Sequence, residues 1–115
     1  MKLKQFVIAF AASTALTASA FAADTIKVGL QGPFTGGSSS MGVSMRDGVK
    51  LAAEEINKAG GVLGKQIQLV ERDDEAKNEV GVQISQELIN KEGVIATLGY
   101  INTGVALASQ RFYQE

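Results

Sequence analysis

Histidine and cysteine are both absent from this chain of 115 residues. Without them the chain cannot form a Ser-His or Cys-His nucleophilic pair, a thiolate or imidazole metal site, or a disulfide. Any function must therefore come from carboxylates, hydroxyls, amides, Lys and Arg side chains or the backbone. A chain this short buries only about 60 to 70% of its unfolded surface, which limits it to one small domain.

The first residues have the three zones of a secretory signal peptide: a basic start, a mostly apolar run over residues 6–21 and small residues at the end. The apolar run contains four Ser or Thr residues and falls short of the roughly 18 apolar residues of a spanning helix. Residues 20–22 read Ala-Phe-Ala, which predicts cleavage after Ala22, with Ala23 as the alternative. The other interpretation is an apolar first helix of a cytosolic domain. The run lacks the amphipathic spacing that such a helix would have. We expect residues 1–22 to be removed on export and to leave no permanent membrane anchor.

This cleavage changes the charge of the chain. It removes Lys2 and Lys4 and no acidic residue, so that 9 basic and 12 acidic residues remain and the net charge is −3. A chain with that charge and no cluster of Lys or Arg has little basis for binding nucleic acid or an anionic membrane. We expect neither as a partner.

The mature segment, residues 23–115, begins with a strand pattern followed by a helix pattern. Residues 25–30 alternate apolar and polar side chains and predict a strand, which the Gly- and Ser-rich run 32–42 follows as a long loop. Apolar residues recur at three- and four-residue spacing over 44–59 and predict a helix. The Gly-Gly pair at 60–61 is expected to end this helix in a left-handed turn.

A second strand and a second helix follow. Residues 66–71 alternate again and predict the strand. Asn78 is the predicted N-cap of the helix, and Gly93 is its predicted end. The apolar face of this helix would comprise Val80, Ile84 and Leu88.

Residues 94–98 form an almost unbroken apolar run, which is typical of a strand covered on both faces. The loop 99–104 separates this strand from a third helical pattern that starts at Val105. The order βαβαβα predicts an α/β fold, a Rossmann-like parallel sheet with flanking helices. We expect the apolar third strand to lie at the edge of the sheet. Because the last helix meets no stop signal before Glu115, we also expect the sequence to be truncated.

Loops that follow parallel strands converge at one edge of a sheet, where ligands bind near helix N-termini. The first candidate loop, 32–42, has glycines that allow a close backbone approach and hydroxyls that can donate or accept hydrogen bonds. It lacks the Lys-Ser/Thr pair of a phosphate loop, and no G-x-G-x-x-G follows the strand. A ligand loop, a phosphate site and a purely structural turn remain open.

The second candidate loop, 99–104, follows the apolar strand and precedes a helix. Thr103 could cap that helix through its hydroxyl. The same hydroxyl and the adjoining free N–H groups would suit a ligand carboxylate, because an anion is stabilised at a helix start. The two roles are compatible.

The only acidic cluster is Asp73, Asp74 and Glu75. It lacks the alternating spacing and the glycine of a calcium loop, and adjacent strand residues point to opposite faces, so they are poorly placed as a catalytic pair. We interpret the cluster as a strand-end turn in which one Asp accepts hydrogen bonds from nearby N–H groups.

Several motifs in series resemble the periplasmic branched-chain amino acid-binding proteins. They are Gly32-Pro33-Phe34-Thr35-Gly36, the helix from Met45 to Asn57, Gly60-Gly61-Val62-Leu63-Gly64-Lys65 and Asp73-Asp74. The resemblance covers essentially the whole mature segment. It implies that residues 23–115 are the first part of lobe 1 of a type I periplasmic binding protein, whose two α/β lobes close over a small ligand and deliver it to an ABC permease.

The resemblance also implies a set of ligand-binding residues. In that family the loop after the third strand holds the ligand carboxylate through a Ser or Thr hydroxyl and a backbone N–H. This position falls here on Thr103, preceded by Ile101 and Asn102. A residue late in the first loop, often aromatic, contacts the ligand, and here it is Met41, an adaptable apolar wall. The residues that bind the ligand ammonium lie beyond Glu115 in such proteins.

The implied function is that of the substrate-binding component of an ABC transporter for branched-chain or related amino acids, in the periplasm and monomeric at full length. No enzyme activity, cofactor or metal is expected. Met41 and Asn102 leave open binding proteins of the same fold for amides, urea or aromatic carboxylates. Two other classes remain as alternatives, a nucleotide-dependent α/β enzyme fragment and a ligand-sensing module.

Overall fold

The computed structural model describes residues 24–115, so the predicted signal peptide at 1–22 lies outside the described residues. Strands and helices alternate in the order that the sequence predicts. The elements are β1 (Thr25–Gly32), α1 (Ser39–Lys58), β2 (Gln66–Asp73), α2 (Asn78–Glu87) with a π-helical continuation (Leu88–Glu92), β3 (Ala96–Leu98), and α3 (Thr103–Ser109) followed by a 3-10 turn (Gln110–Tyr113).

The three strands form a parallel sheet in the order β2-β1-β3, which confirms the predicted α/β fold. β1 pairs with β2 along its whole length, from Thr25 opposite Gln66 to Gly32 opposite Asp73. The chain then passes from β2 across β1 to reach β3 on the other side. Connections that run in opposite directions place their helices on opposite faces of the sheet.

Side-chain contacts follow this division into two faces. Val28 and Leu69 face α1, where they surround a small cavity of about 170 Å³ together with Val49 and Ala53. On the other face Val70 packs with Ile84 and Leu88 of the second helix, as the predicted apolar face of that helix requires. The core is completed by Leu30 and Val105, both fully buried. These packed side chains support the loops at the carboxyl ends of the strands.

Helix α1 begins at Ser39, inside the run that the sequence predicts to be a loop up to Gly42. Gly and Ser are weak helix formers, so composition favoured a loop. The helix can start early because Gly42 lets its first turn lie directly against Pro33, where a Cβ would come within 1.9 Å of the Pro33 carbonyl oxygen. The predicted ends of the helices at Gly60 and Gly93 are confirmed, with φ values of 109° and 66°.

The prediction of a third strand at 94–98 that is covered on both faces is wrong. β3 contains only residues 96–98, and Ile95 and Leu98 are 74% and 46% exposed. Helix α1 packs over β2 and β1 and leaves its side of β3 open. The strand lies at the edge of the sheet, as predicted.

Within residues 24–115, none of the helices has both the length and the apolar character needed to cross a bilayer.

Candidate functional site at the carboxyl edge of the sheet

The loops after β1 and β3 meet at the carboxyl edge of the sheet. The chain leaves β1 toward β2, whereas β3 lies on the other side of β1, so the two loops flank the point at which the strand order reverses. Open α/β sheets bind ligands at such a switch point. The contact is direct, because the Asn102 amide Nδ2 donates to the Ser38 hydroxyl Oγ at 3.3 Å.

The predicted site residues occupy different positions at this edge. Thr103 is exposed, whereas Ile101 and Asn102 are half-buried, and Asn102 makes the contact with the start of α1. Met41 lies in the first turn of α1 rather than in a loop, with 56% of its surface exposed. The structure therefore brings Asn102 into contact with the first candidate loop at Ser38. Met41 lies about one helical turn after Ser38.

The predicted cap Asn78 and the candidate cap Thr103 each lie one residue after the observed N-cap. The N-cap of α3 is Asn102, whose side chain makes no capping bond, and Thr103 is the first helical residue. The N-cap of α2 is Lys77, so Asn78 is also a first helical residue. The side chain of Asn78 lies instead toward the start of α3, with its Oδ1 3.0 Å from the place where a Cβ on Gly104 would stand. Both side chains are thus free of the capping role that the sequence suggested.

Asp73 ties the first loop to the end of β2. Its Oδ1 accepts from the backbone N–H groups of Phe34 at 2.8 Å and Glu75 at 2.9 Å, and its Oδ2 accepts from the Thr35 hydroxyl at 2.6 Å. Burial raises the pKa of Asp73, but the Thr35 hydroxyl and these N–H groups outweigh that effect and the net pKa lies below its usual value. The predicted strand-end turn is confirmed, and one of its carboxylates also shapes the candidate site.

We expect Asp73→Asn to lower the free energy of unfolding by about 1 to 2 kcal/mol at pH 7, because the charge-assisted hydrogen bonds are lost. A carboxylate whose pKa is lowered in the folded state stabilises the protein when the pH is above the pKa of the unfolded state, which is about 4. That stabilisation disappears as the pH falls. The difference from the wild type should therefore shrink as the pH falls below about 4, the unfolded pKa, toward the lower pKa of the folded state. Urea unfolding followed by circular dichroism at several pH values measures it.

Asp47→Asn serves as the control for this prediction. The Asp47 side chain is 68% exposed and its ion pair with Arg46 is 3.7 Å long. Exposed pairs contribute about 0 to 1 kcal/mol. An equal loss of stability in both variants would contradict the role of Asp73.

Asp74 is buried, with 1% of its surface exposed. Its Oδ1 accepts from the N–H of Ala76 at 2.9 Å. Burial raises the pKa of Asp74, the Ala76 N–H opposes that shift and the neighbouring Asp73 charge adds to it. Among the described residues, no three acidic side chains converge in a way that would hold a metal ion.

A buried polar cluster lies beneath the site. Gln31 at the end of β1 and Ser85 on α2 are both fully buried, and Ser85 Oγ lies 3.1 Å from the hydroxyl Oη of Tyr100 in the loop after β3. Burial raises the pKa of Tyr100 to about 12, so the phenol is neutral and able to donate. Sequence reasoning missed these residues, and the available signal was a polar Gln within an otherwise apolar strand end.

Comparison with known proteins places these features in context. Residues 25–115 match a family model described as periplasmic binding protein. The leucine-, isoleucine-, valine-, threonine- and alanine-binding protein of Pseudomonas aeruginosa is 36% identical over 94 residues, which are 82% of this chain and 25% of that protein. The chain spans about a quarter of the length of such curated relatives.

Solved structures show the same fold. The branched-chain amino acid transporter substrate binding protein LivJ of Streptococcus pneumoniae, in complex with isoleucine, superposes with a TM-score of 0.77 at 30% identity, over 79% of this chain and 26% of that one. A fatty acid ABC transporter substrate-binding protein of Thermomonospora curvata has a TM-score of 0.72 at 32% identity, over 76% of this chain and 22% of that one. Proteins with this fold are therefore associated with ligands of different chemistry, an amino acid in one case and a fatty acid in the other.

Proposed function

Because the chain belongs to the family of periplasmic binding proteins, we propose that it forms part of the substrate-binding component of an ABC transporter for branched-chain or related amino acids. The named relatives that bind leucine, isoleucine or valine support this substrate class. The proposal includes export to the periplasm with removal of residues 1–22, delivery of the ligand to a permease and no enzyme activity of its own.

One observation carries the proposal, the meeting of the two loops at the switch point through Asn102 and Ser38. It sets the exposed Thr103 hydroxyl at the start of α3, close to the start of α1. The first N–H groups of a helix have no partner within the helix, and they attract an anion. Met41, in the first turn of α1, offers an exposed, adaptable thioether chain as a contact for the apolar side chain of the ligand.

The site on these residues is one wall of a cleft. We propose that the second wall comes from a second lobe of the kind that the family's fold has, and that residues 24–115 alone bind the ligand weakly. The missing half of the polar contacts would each contribute on the order of 1 kcal/mol or more. Micromolar binding of L-leucine to purified residues 24–115 would contradict this part of the proposal.

Calorimetric titration of the full-length protein tests the substrate class. The panel comprises L-leucine, L-isoleucine and L-valine, with acetamide, urea and benzoate as the competing classes. We expect saturable heat from at least one of the three amino acids and none from urea. Saturation by acetamide, urea or benzoate, without a response to the amino acids, would replace the proposed substrate.

A further inference from the structure

The loop that carries Thr103 is held from below by a chain of buried hydrogen bonds. Tyr100, three residues before Thr103, reaches Ser85 on α2 with 3.1 Å between the two hydroxyl oxygens. Ser85 Oγ also lies 2.9 Å from the Gly81 carbonyl oxygen and 3.3 Å from Gln31 Oε1. Gln31 in turn donates from Nε2 to the same Gly81 carbonyl at 3.2 Å.

The donor and acceptor groups in this chain of hydrogen bonds indicate which group donates in each bond. Ser85 has a single hydroxyl proton, and two of its three neighbours, the Gly81 carbonyl and Gln31 Oε1, can only accept. The arrangement that uses both hydroxyl protons within this chain has Ser85 donating to one of these two acceptors and Tyr100 donating to Ser85 Oγ. The neutral phenol that burial favours is the form that this donation requires.

A second contact holds the other side of the same loop. Asn102, two residues after Tyr100, donates to Ser38 Oγ in front of α1. The loop is thus bound to α2 through Tyr100 and to the start of α1 through Asn102. Thr103 follows immediately, so its position is set by both attachments.

We propose that Tyr100 and Ser85, supported by Gln31, are positioning residues of the ligand site, an assignment that rests on the function proposed above. Ser85 and Gln31 are fully buried and act through the loop rather than on the ligand. Their hydrogen bonds keep residues 101–103 in the conformation that presents the Thr103 hydroxyl and N–H to a carboxylate. A buried polar chain of this kind orders a site when all its members are paired.

The test uses the full-length protein with two variants and one control. Tyr100→Phe removes the donor and keeps the ring, and Ser85→Ala removes the acceptor with a residue that favours helix. Thr97→Val is the control, because the Thr97 hydroxyl on neighbouring β3 is buried without a hydrogen-bond partner in the described part of the chain. Hydrogen exchange by mass spectrometry and calorimetric titration with L-leucine are measured on each.

We expect faster exchange in the peptide that covers residues 101–103 in Tyr100→Phe and Ser85→Ala, with the wild-type rate in Thr97→Val. Exchange in β1 should not change. L-Leucine affinity should fall about fivefold in each of the two variants, as the loss of one hydrogen bond predicts. Unchanged exchange at residues 101–103 in both variants would overturn the proposal whatever the ligand.

Combination with Thr103→Ala separates positioning from general damage. If Tyr100 acts through Thr103, Tyr100→Phe should change L-leucine affinity less than about twofold in a protein that already carries Thr103→Ala, because two changes that remove the same ligand contact are not additive. A full additional fivefold loss would show that Tyr100 acts elsewhere and would overturn the assignment. Absence of amino acid binding by the wild type would instead remove the proposed function, and the exchange rates would still decide whether Tyr100 anchors the loop.

Discussion

Gly42→Ala is expected to destabilise the protein by about 2 to 3 kcal/mol, as overpacking of a rigid contact does. The new Cβ would stand 1.9 Å from the carbonyl oxygen and 2.7 Å from the carbonyl carbon of Pro33. Both atoms belong to the backbone of the loop after β1, so no side-chain rotation can relieve the overlap. The start of α1 would have to move away from the loop that leads to Ser38.

Gly48→Ala on the same helix provides the matched control. Its Cβ would meet no atom within 4 Å. Ala is favoured over Gly in a helix by about 1 kcal/mol, so this variant should be as stable as the wild type or slightly more stable. Urea unfolding of both variants gives the comparison. Equal effects of the same sign would show that the close approach at Gly42 does not constrain the fold.

Thr103→Ala should weaken L-leucine binding by about 10- to 100-fold in the full-length protein. A hydrogen bond to a charged group contributes about 1.5 to 3 kcal/mol, and the alanine cannot replace the hydroxyl. The stability of the free protein should change little, because Thr103 is exposed and is not the N-cap residue of α3. Calorimetric titration and urea unfolding measure the two quantities separately.

Thr103→Ser is the control for this prediction, because it keeps the hydroxyl and removes only a methyl group. Its affinity should remain within about threefold of the wild type. An unchanged affinity in Thr103→Ala would remove Thr103 from the site. A parallel loss of affinity in Thr103→Ser would point to the methyl group rather than the hydroxyl as the ligand contact.

Much of the fold could be predicted because it follows from local patterns. The four-residue spacing of Val80, Ile84 and Leu88 indicates the apolar face of the second helix. Helices end at Gly60 and Gly93 because glycine adopts a positive φ without strain. The family could also be named, because several motifs in series occur at the expected spacing. The predicted membership is confirmed by the match over residues 25–115.

The errors arose where a residue's role depends on contacts far along the chain. The early start of α1 depends on Pro33 standing against Gly42, and the exposure of β3 depends on which strands α1 covers. Local propensity favoured a Gly-rich loop and a doubly covered strand in those places. Residue type predicts Asn78 as a cap and offers Thr103 as a candidate cap, but it limits helix starts only to within a residue or two.

The sequence by itself determined the order of the elements, the parallel α/β class, the family and the loop that contains Thr103. These properties depend on periodicity, turn residues and motif spacing, which are local along the chain. Only the tertiary structure decided that Asn102 contacts Ser38 and that Asp73 secures the first loop, and it alone revealed the chain of hydrogen bonds from Gln31 to Tyr100. These contacts join residues separated by 15 to 64 positions, and their partners are determined by strand order and helix packing rather than by neighbouring residues.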